Sequence, residues 1–192
     1  MKHLFVEEKT FDREDFLKNR LEKGQYELCT FLNCNFLNAN LSEIQFIDCE
    51  FYDCDLSMAN LSQTIINNVL FKDCKMLGLH FEKCSDFTFS MKVENCQLND
   101  ASFYHQKISK TVFTKCKMQE VDFTECDLSF SVFNDCDLLN AIFDNTNLKG
   151  ADLRNSFNFT IDPEKNQIKG AKFSLQSVSG LLAKYHIKID PN

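Results

Sequence analysis

Every fifth residue over most of this chain is large and apolar. The step of five from Phe31 meets Phe36, Leu41, Phe46, Phe51, Leu56, Leu61, Ile66, Phe71, Met76 and Phe81. After a gap of 12 residues instead of 10 it resumes at Val93 and continues through Leu98, Phe103, Ile108, Phe113, Met118, Phe123, Leu128, Phe133, Leu138, Phe143, Leu148 and Leu153. Two residues before each of these 24 positions stands Ala, Cys, Ser, Thr or Val in 20 cases, the exceptions being Ile44, Leu79, Met91 and Gln106; neither slot ever holds a charge. A strand repeats every 2 residues and a helix every 3.6, so neither keeps a period of five on one face. A short fixed repeat instead implies units that bury their apolar side only by stacking on their neighbours, which is a solenoid. If each unit is one side of a square coil, the large residue and the small one before it point inward, and the remaining three face water. The second slot is small because four sides converge on an interior packed to crystal-like density. Successive coils then stack at about 4.8 Å, and like side chains form ladders.

The composition agrees with such a rod. The 192 residues include 20 Phe and no Trp, but only 5 Gly and 2 Pro, so something other than glycine must bend the chain at its corners. No stretch approaches the roughly 20 apolar residues of a membrane helix and no signal peptide is evident, so we expect a cytoplasmic protein with reduced thiols. All ten cysteines fall in the small inward slot. Those 20 residues apart should stack, Cys34, Cys54 and Cys74 as one ladder and Cys96, Cys116 and Cys136 as another. A line of parallel sulfurs does not offer the converging tetrahedron that zinc needs, nor the dihedral of a disulfide. The Asp53–Asp55 and Asp135–Asp137 pieces lack the glycine and distant glutamate of a calcium loop. His3, His80, His105 and His186 are scattered with no nucleophile or cleft beside them. We therefore expect no enzyme, no cofactor and no metal.

Three regions are expected: an N-terminal segment and capping coil over 1–30, the repeat body over 31–173 with a register slip at 82–92, and a tail over 174–192. In the first coil Lys9, Glu14, Asn19 and Gly24 take the small slots, which suits a cap. In the slip, Phe87 and Phe89 alternate with polar neighbours, as in a tolerated bulge or a bump that touches a partner. In the tail, Leu175, Val178, Leu182, Tyr185 and Ile189 fall at helical spacing, and Leu181 widens the stripe; this predicts a short α-helix near 175–185 with Gly180 as a mild penalty. Such a helix would cover the open end of the coil, where backbone groups are unpaired, or join two copies.

Charge is distributed unevenly. Residues 1–162 carry 16 Lys and Arg against 26 Asp and Glu, a balance of −10, whereas residues 163–192 carry 5 against 2, a balance of +3. No Lys or Arg occurs over 24–71 or 118–148. Such a body repels nucleic acid and attracts basic surfaces. Counting sides through the slip brings Asp53, Asp55, Asp135 and Asp137 toward one edge, and we place Glu120 there as well.

The pieces "ANLSE" (39–43), "CDLSMANLS" (54–62) and "GADLRNS" (150–156) resemble the pentapeptide-repeat family, whose unit is a small residue, Asn or Asp, Leu or Phe, and two polar positions. The resemblance implies an all-β solenoid in the form of a right-handed four-sided β-helix. The tail and the acidic body resemble the quinolone-resistance branch, which implies a DNA mimic that binds a type II topoisomerase, DNA gyrase or topoisomerase IV, and guards it against quinolones or toxins. It also implies an end-to-end homodimer through the C-terminus, with Leu175, Val178, Leu181, Leu182 and Tyr185 as the contact. Seven or eight coils give a rod of roughly 35 Å, and two rods end to end span about 20 base pairs. Gram-negative members of that branch project loops from the coil, whereas this chain shows only the two-residue slip. The alternative is an interaction scaffold with an unrelated protein partner.

Overall fold

The computed structural model describes residues 4–189; residues 1–3 and 190–192, which include His3 and the outermost ends of the first segment and the tail, lie outside the described residues. The chain winds into a parallel solenoid of about 8 turns. One face is an eight-stranded parallel sheet of Thr10–Asp12, Thr30–Leu32, Glu50–Tyr52, Val69–Lys72, Met91–Glu94, Val112–Thr114, Val132–Asp137 and Asp152–Phe157, and we call it the first face. Following the chain, the second face carries Phe36 and its equivalents, and the third carries Leu41 and its equivalents. The fourth face is a four-stranded sheet of Leu4–Glu7, Gly24–Glu27, Gln45–Ile47 and Ile65–Asn67, continued past the slip by single bridges such as Lys107 to Asp127. Partners lie 20 residues apart, as in Phe31 with Phe51, except across the slip, where Phe71 pairs with Val93, and at a register shift in the last pair of strands, where Asn134 pairs with Asn155.

The bends are made by ordinary residues in the left-handed region, two places after each large residue. Asn33, Asp53, Asp73, Asn95 and Lys115 follow one another down a corner at φ 52–58°. Left-handed backbone costs a non-glycine residue roughly 1–2 kcal/mol. It is offset here because each corner N–H donates to the next coil, as Asn33 does to the Tyr52 carbonyl at 2.9 Å and Asp53 to the Lys72 carbonyl at 3.1 Å. The Asn or Asp before the large residue stabilises the same bend, since its side-chain oxygen accepts the N–H two residues on. Asp55 takes Ser57 at 3.0 Å, Asn60 takes Ser62 at 3.1 Å and Asp122 takes Thr124 at 2.8 Å. That is why a chain with few glycines turns so often.

The small slot has a second property that its size alone did not suggest. Its side chain donates to the carbonyl of the large residue one coil earlier: Thr64 Oγ1 to Leu41 at 2.8 Å, Ser131 Oγ to Ile108 at 3.0 Å, and Cys54 Sγ to Phe31 at 3.4 Å. Gln106, an exception to the small-residue pattern, makes the same bond through Nε2 to Phe81 at 2.9 Å. Cys, Ser and Thr suit this slot because they fill it and also satisfy a carbonyl. The Phe residues stack in columns, Phe31 on Phe51 with centroids 4.6 Å apart and Phe81 on Phe103 at 4.5 Å, the rings near parallel. Each fully buried Phe contributes roughly 1.5–3 kcal/mol through burial.

At the first coil Lys9 and Glu14 are exposed because no coil lies beneath them, whereas Gly24 is buried. A Cβ on Gly24 would stand 2.6 Å from the Leu4 carbonyl oxygen, so glycine is needed where the first strand lies close by. The slip occupies the fourth face. A short 3-10 turn at Phe81–Lys83 leads into it, Phe89 turns inward edge-on to Phe81 at 6.2 Å, and Phe87 stands 72% exposed. The coil absorbs two extra residues without losing its columns.

The tail departs from expectation. Among its described residues it forms no α-helix; two 3-10 segments, Val178–Leu181 and Ala183–Tyr185, fold across the last coil. Gly180 explains the difference. The Ile161 N–H donates to the Gly180 carbonyl at 3.1 Å, and a Cβ on Gly180 would stand 2.2 Å from the Phe159 carbonyl oxygen. The glycine expected to be a mild penalty is the point of closest docking.

Candidate protein-binding surfaces

The corner between the first and second faces carries four of the five acidic residues singled out above. Strand register puts Asp53, Asp73, Asn95, Lys115 and Asp135 in one column. Beside it runs Asp55, Lys75, Gln97, Lys117 and Asp137. The four aspartates do share an edge, but in two groups about 19 Å apart along the rod, four coil steps, with Lys75, Lys115 and Lys117 between or among them. This corner is therefore mixed in charge. Asp55 and Asp137 are also committed within the fold: beyond the Asp55 bond above, Asp137 accepts from Gln119 Nε2 at 2.7 Å, Asn158 Nδ2 at 2.8 Å and the Leu139 N–H at 3.3 Å. Asp53 and Asp135 are exposed.

Glu120 does not join that edge. It follows Met118 on the next corner, between the second and third faces, in a column with Asp100. There it borders an acidic surface whose members come together only through the winding of the coil. Asp100, Glu120, Asp122, Glu125 and Asp144 lie on the third face and its corners over three successive coils, with Ser102, Asp122 and Ile142 bridged in line and the Glu125 N–H donating to the Asp144 carbonyl. No Lys or Arg stands among them; His105 meets Glu125 at 3.3 Å, and Tyr104 is exposed beside it. Carboxylates about 4.8 Å apart in water repel by up to roughly 1 kcal/mol a pair. A cationic partner relieves that repulsion. The signal was present in the stretch without Lys or Arg over 118–148, but only the coil register tells which of its carboxylates share a face.

The five tail residues expected at a dimer contact are divided by the fold. Val178, Leu181 and Leu182 are half-buried, Leu181 against the core, whereas Leu175 is 89% exposed and Tyr185 54%. The segment is tied down by Lys184, which reaches Asp162 at 2.7 Å and Glu164 at 2.8 Å. For end-to-end pairing this leaves Leu175 and Tyr185, joined by Ile187 and Ile189.

The cysteines stand where the register put them, all ten buried and free. The two expected ladders are one, because the slip preserves the columns: the Cys74 N–H lies 3.4 Å from Cys96 Sγ. Burial pushes the Cys49 thiol up to about 12 and raises those of Cys84 and Cys126.

Among the described residues no helix is long and apolar enough to cross a membrane. A search of curated proteins gives no match. Among solved structures, a trypsin-treated variant of QnrB1, a plasmid-mediated fluoroquinolone resistance protein, superposes with a TM-score of 0.64 at 22% identity, covering 98% of each chain. Full-length QnrB1 gives 0.60 at 21% identity, covering 95% of this chain and 100% of its own. The profile of the pentapeptide repeat region matches residues 25–92 and 85–173. Large inward residues at every fifth position, donor-bearing small slots and Asn or Asp at the bends thus have one explanation: the chain belongs to the pentapeptide-repeat family, and its coil is that family's right-handed four-sided β-helix.

Proposed function

We propose that this protein binds a type II topoisomerase, DNA gyrase or topoisomerase IV, as a DNA mimic, and that the acidic third face is the surface presented to the enzyme's DNA-binding groove. The observation that carries the reading is the cluster of Asp100, Glu120, Asp122, Glu125 and Asp144, free of Lys and Arg, on a rod whose fold matches QnrB1 along nearly its whole length. Solenoid stacking holds these carboxylates on a rigid support, Asp100 and Glu120 one coil step of about 4.8 Å apart, so a basic groove made for phosphates meets charge of the right sign without the rod having to reorganise. Asp53 and Asp135 supply further exposed charge on the neighbouring corner, while Asp55 and Asp137 mainly hold the coil. Protection from quinolones or from a toxin would follow from occupying the groove that DNA otherwise fills.

Direct binding to purified gyrase and topoisomerase IV tests this. Wild type should bind and release steeply as salt rises. Asp100→Asn, Glu120→Gln, Glu125→Gln and Asp144→Asn together should weaken binding with the fold intact, since these side chains cap no turn. Binding that ignores both salt and the four substitutions would favour an interaction scaffold using another face.

A further inference from the structure

We propose that the fourth face pairs two copies of this chain side by side and antiparallel, the acidic beginning of one rod lying on the basic end of the other. The outward column just after the large residue runs Glu7, Glu27, Ile47 and Asn67 before the slip. After the slip the same column runs Ser109, Ser129, Lys149 and Lys169. There are four coils on each side of the slip coil. A two-fold axis lying in this face, across the rod at the slip, reverses the column onto itself. Glu7 then faces the partner's Lys169, and Glu27 faces the partner's Lys149, each pair occurring twice. The flanking column behaves as well, because Lys107 comes opposite Ile65 and Asp127 opposite Gln45, so no like charges meet in either column; at the bordering corner Glu43, already paired with Lys23 at 2.8 Å, comes opposite Glu125. Such self-complementarity is what an isologous interface requires.

Two further observations select a second copy as the occupant. Among the described residues Glu7, Lys107, Lys149 and Lys169 make no ion pair within the chain, so their charges are available. Phe87, 72% exposed, stands on this face at the position of the axis, where two copies would cover each other's rings. The face is about 40 Å long and one short strand wide, which puts the pairing in the small, transient class. The same axis sets the acidic third faces of both rods on one side of the pair, so the dimer would double the surface assigned to the topoisomerase; the pairing itself does not depend on that assignment.

Charge reversal of the full chain tests it by sedimentation velocity at micromolar to tens-of-micromolar concentration. Glu7→Lys with Glu27→Lys, and separately Lys149→Glu with Lys169→Glu, should each be monomeric, with self-association weakened on the order of 100-fold or more. The two variants mixed should pair with each other, because every reversed residue then faces its complement, and added salt should dissolve that heterodimer. These residues are solvent-facing, so circular dichroism should be unchanged. Wild type that stays monomeric overturns the proposal. So does self-association that survives both reversals, as pairing through the tail would, or a mixture that does not pair.

Discussion

Replacing Gly180 by Ala should undock the tail without unfolding the rod. The added methyl would stand 2.2 Å from the Phe159 carbonyl oxygen and 2.9 Å and 3.0 Å from two of its ring carbons, and neither neighbour is a flexible side-chain end that can swing away. The tail must lift by about 1 Å to restore ordinary contact, which breaks the bond from the Ile161 N–H. Overpacking of this kind costs about 1–3 kcal/mol and the lost hydrogen bond about 0.5–1.5 kcal/mol, together roughly 2–4 kcal/mol against docking. That lowers the docked-to-free ratio on the order of 30-fold to 1,000-fold. The coils below keep their ladder, because in a solenoid each unit depends chiefly on its neighbours. Hydrogen exchange at the Ile161 amide and tryptic cleavage after Lys184 read the effect, with Ser179→Ala, an exposed neighbour, as the control. Equal protection in wild type and Gly180→Ala would refute the docked tail and reopen the helical one.

Phe113→Ala should lower unfolding stability by about 3–5 kcal/mol in urea, since the ring is fully buried and stacks on Phe133 with centroids 5.1 Å apart. All ten thiols should label slowly in the native protein and fast once it unfolds; rapid native labelling of several would contradict the inward register. Acid should loosen the tail before the body. Lys184 holds the Asp162 and Glu164 carboxyls below the ordinary range by hydrogen bonding to both. Depressed carboxyls stabilise above their unfolded pKa, near 4, and lose that contribution as pH falls through the folded values. Tail proteolysis should therefore accelerate below about pH 4, while far-UV circular dichroism of the coil persists.

The period of five made the interior legible, since Phe31 to Leu153 and the slots before them face inward. Three things stayed hidden for physical reasons. The cysteine ladder looked divided because Cys74 and Cys96 are 22 residues apart, yet the extra two residues are taken up locally at Phe87 and Phe89. The acidic edge looked uniform because neighbours in sequence carry no Lys, whereas neighbours in space come from other coils, which set Lys75 and Lys117 between Asp55 and Asp137. The tail read as helical because Leu175, Val178, Leu182 and Tyr185 keep a helical spacing. After one four-residue bond, from the Val178 N–H to the Ser174 carbonyl, its bonds in fact run to the carbonyl three residues back, Gly180 to Ser177 and Leu182 to Ser179, as the chain presses onto Phe159.

The proposed role of the acidic third face, standing in for DNA on a type II topoisomerase, has a direct enzymatic test. Gyrase supercoiling, measured with increasing protein in the presence and absence of a quinolone and at two DNA concentrations, tests it most directly. Wild type should inhibit or protect, more DNA should relieve the effect, and the fourfold Asp100, Glu120, Glu125 and Asp144 variant should lose it while remaining folded. Wild type that neither inhibits nor protects at tens of micromolar, or a variant as active as wild type, would contradict it.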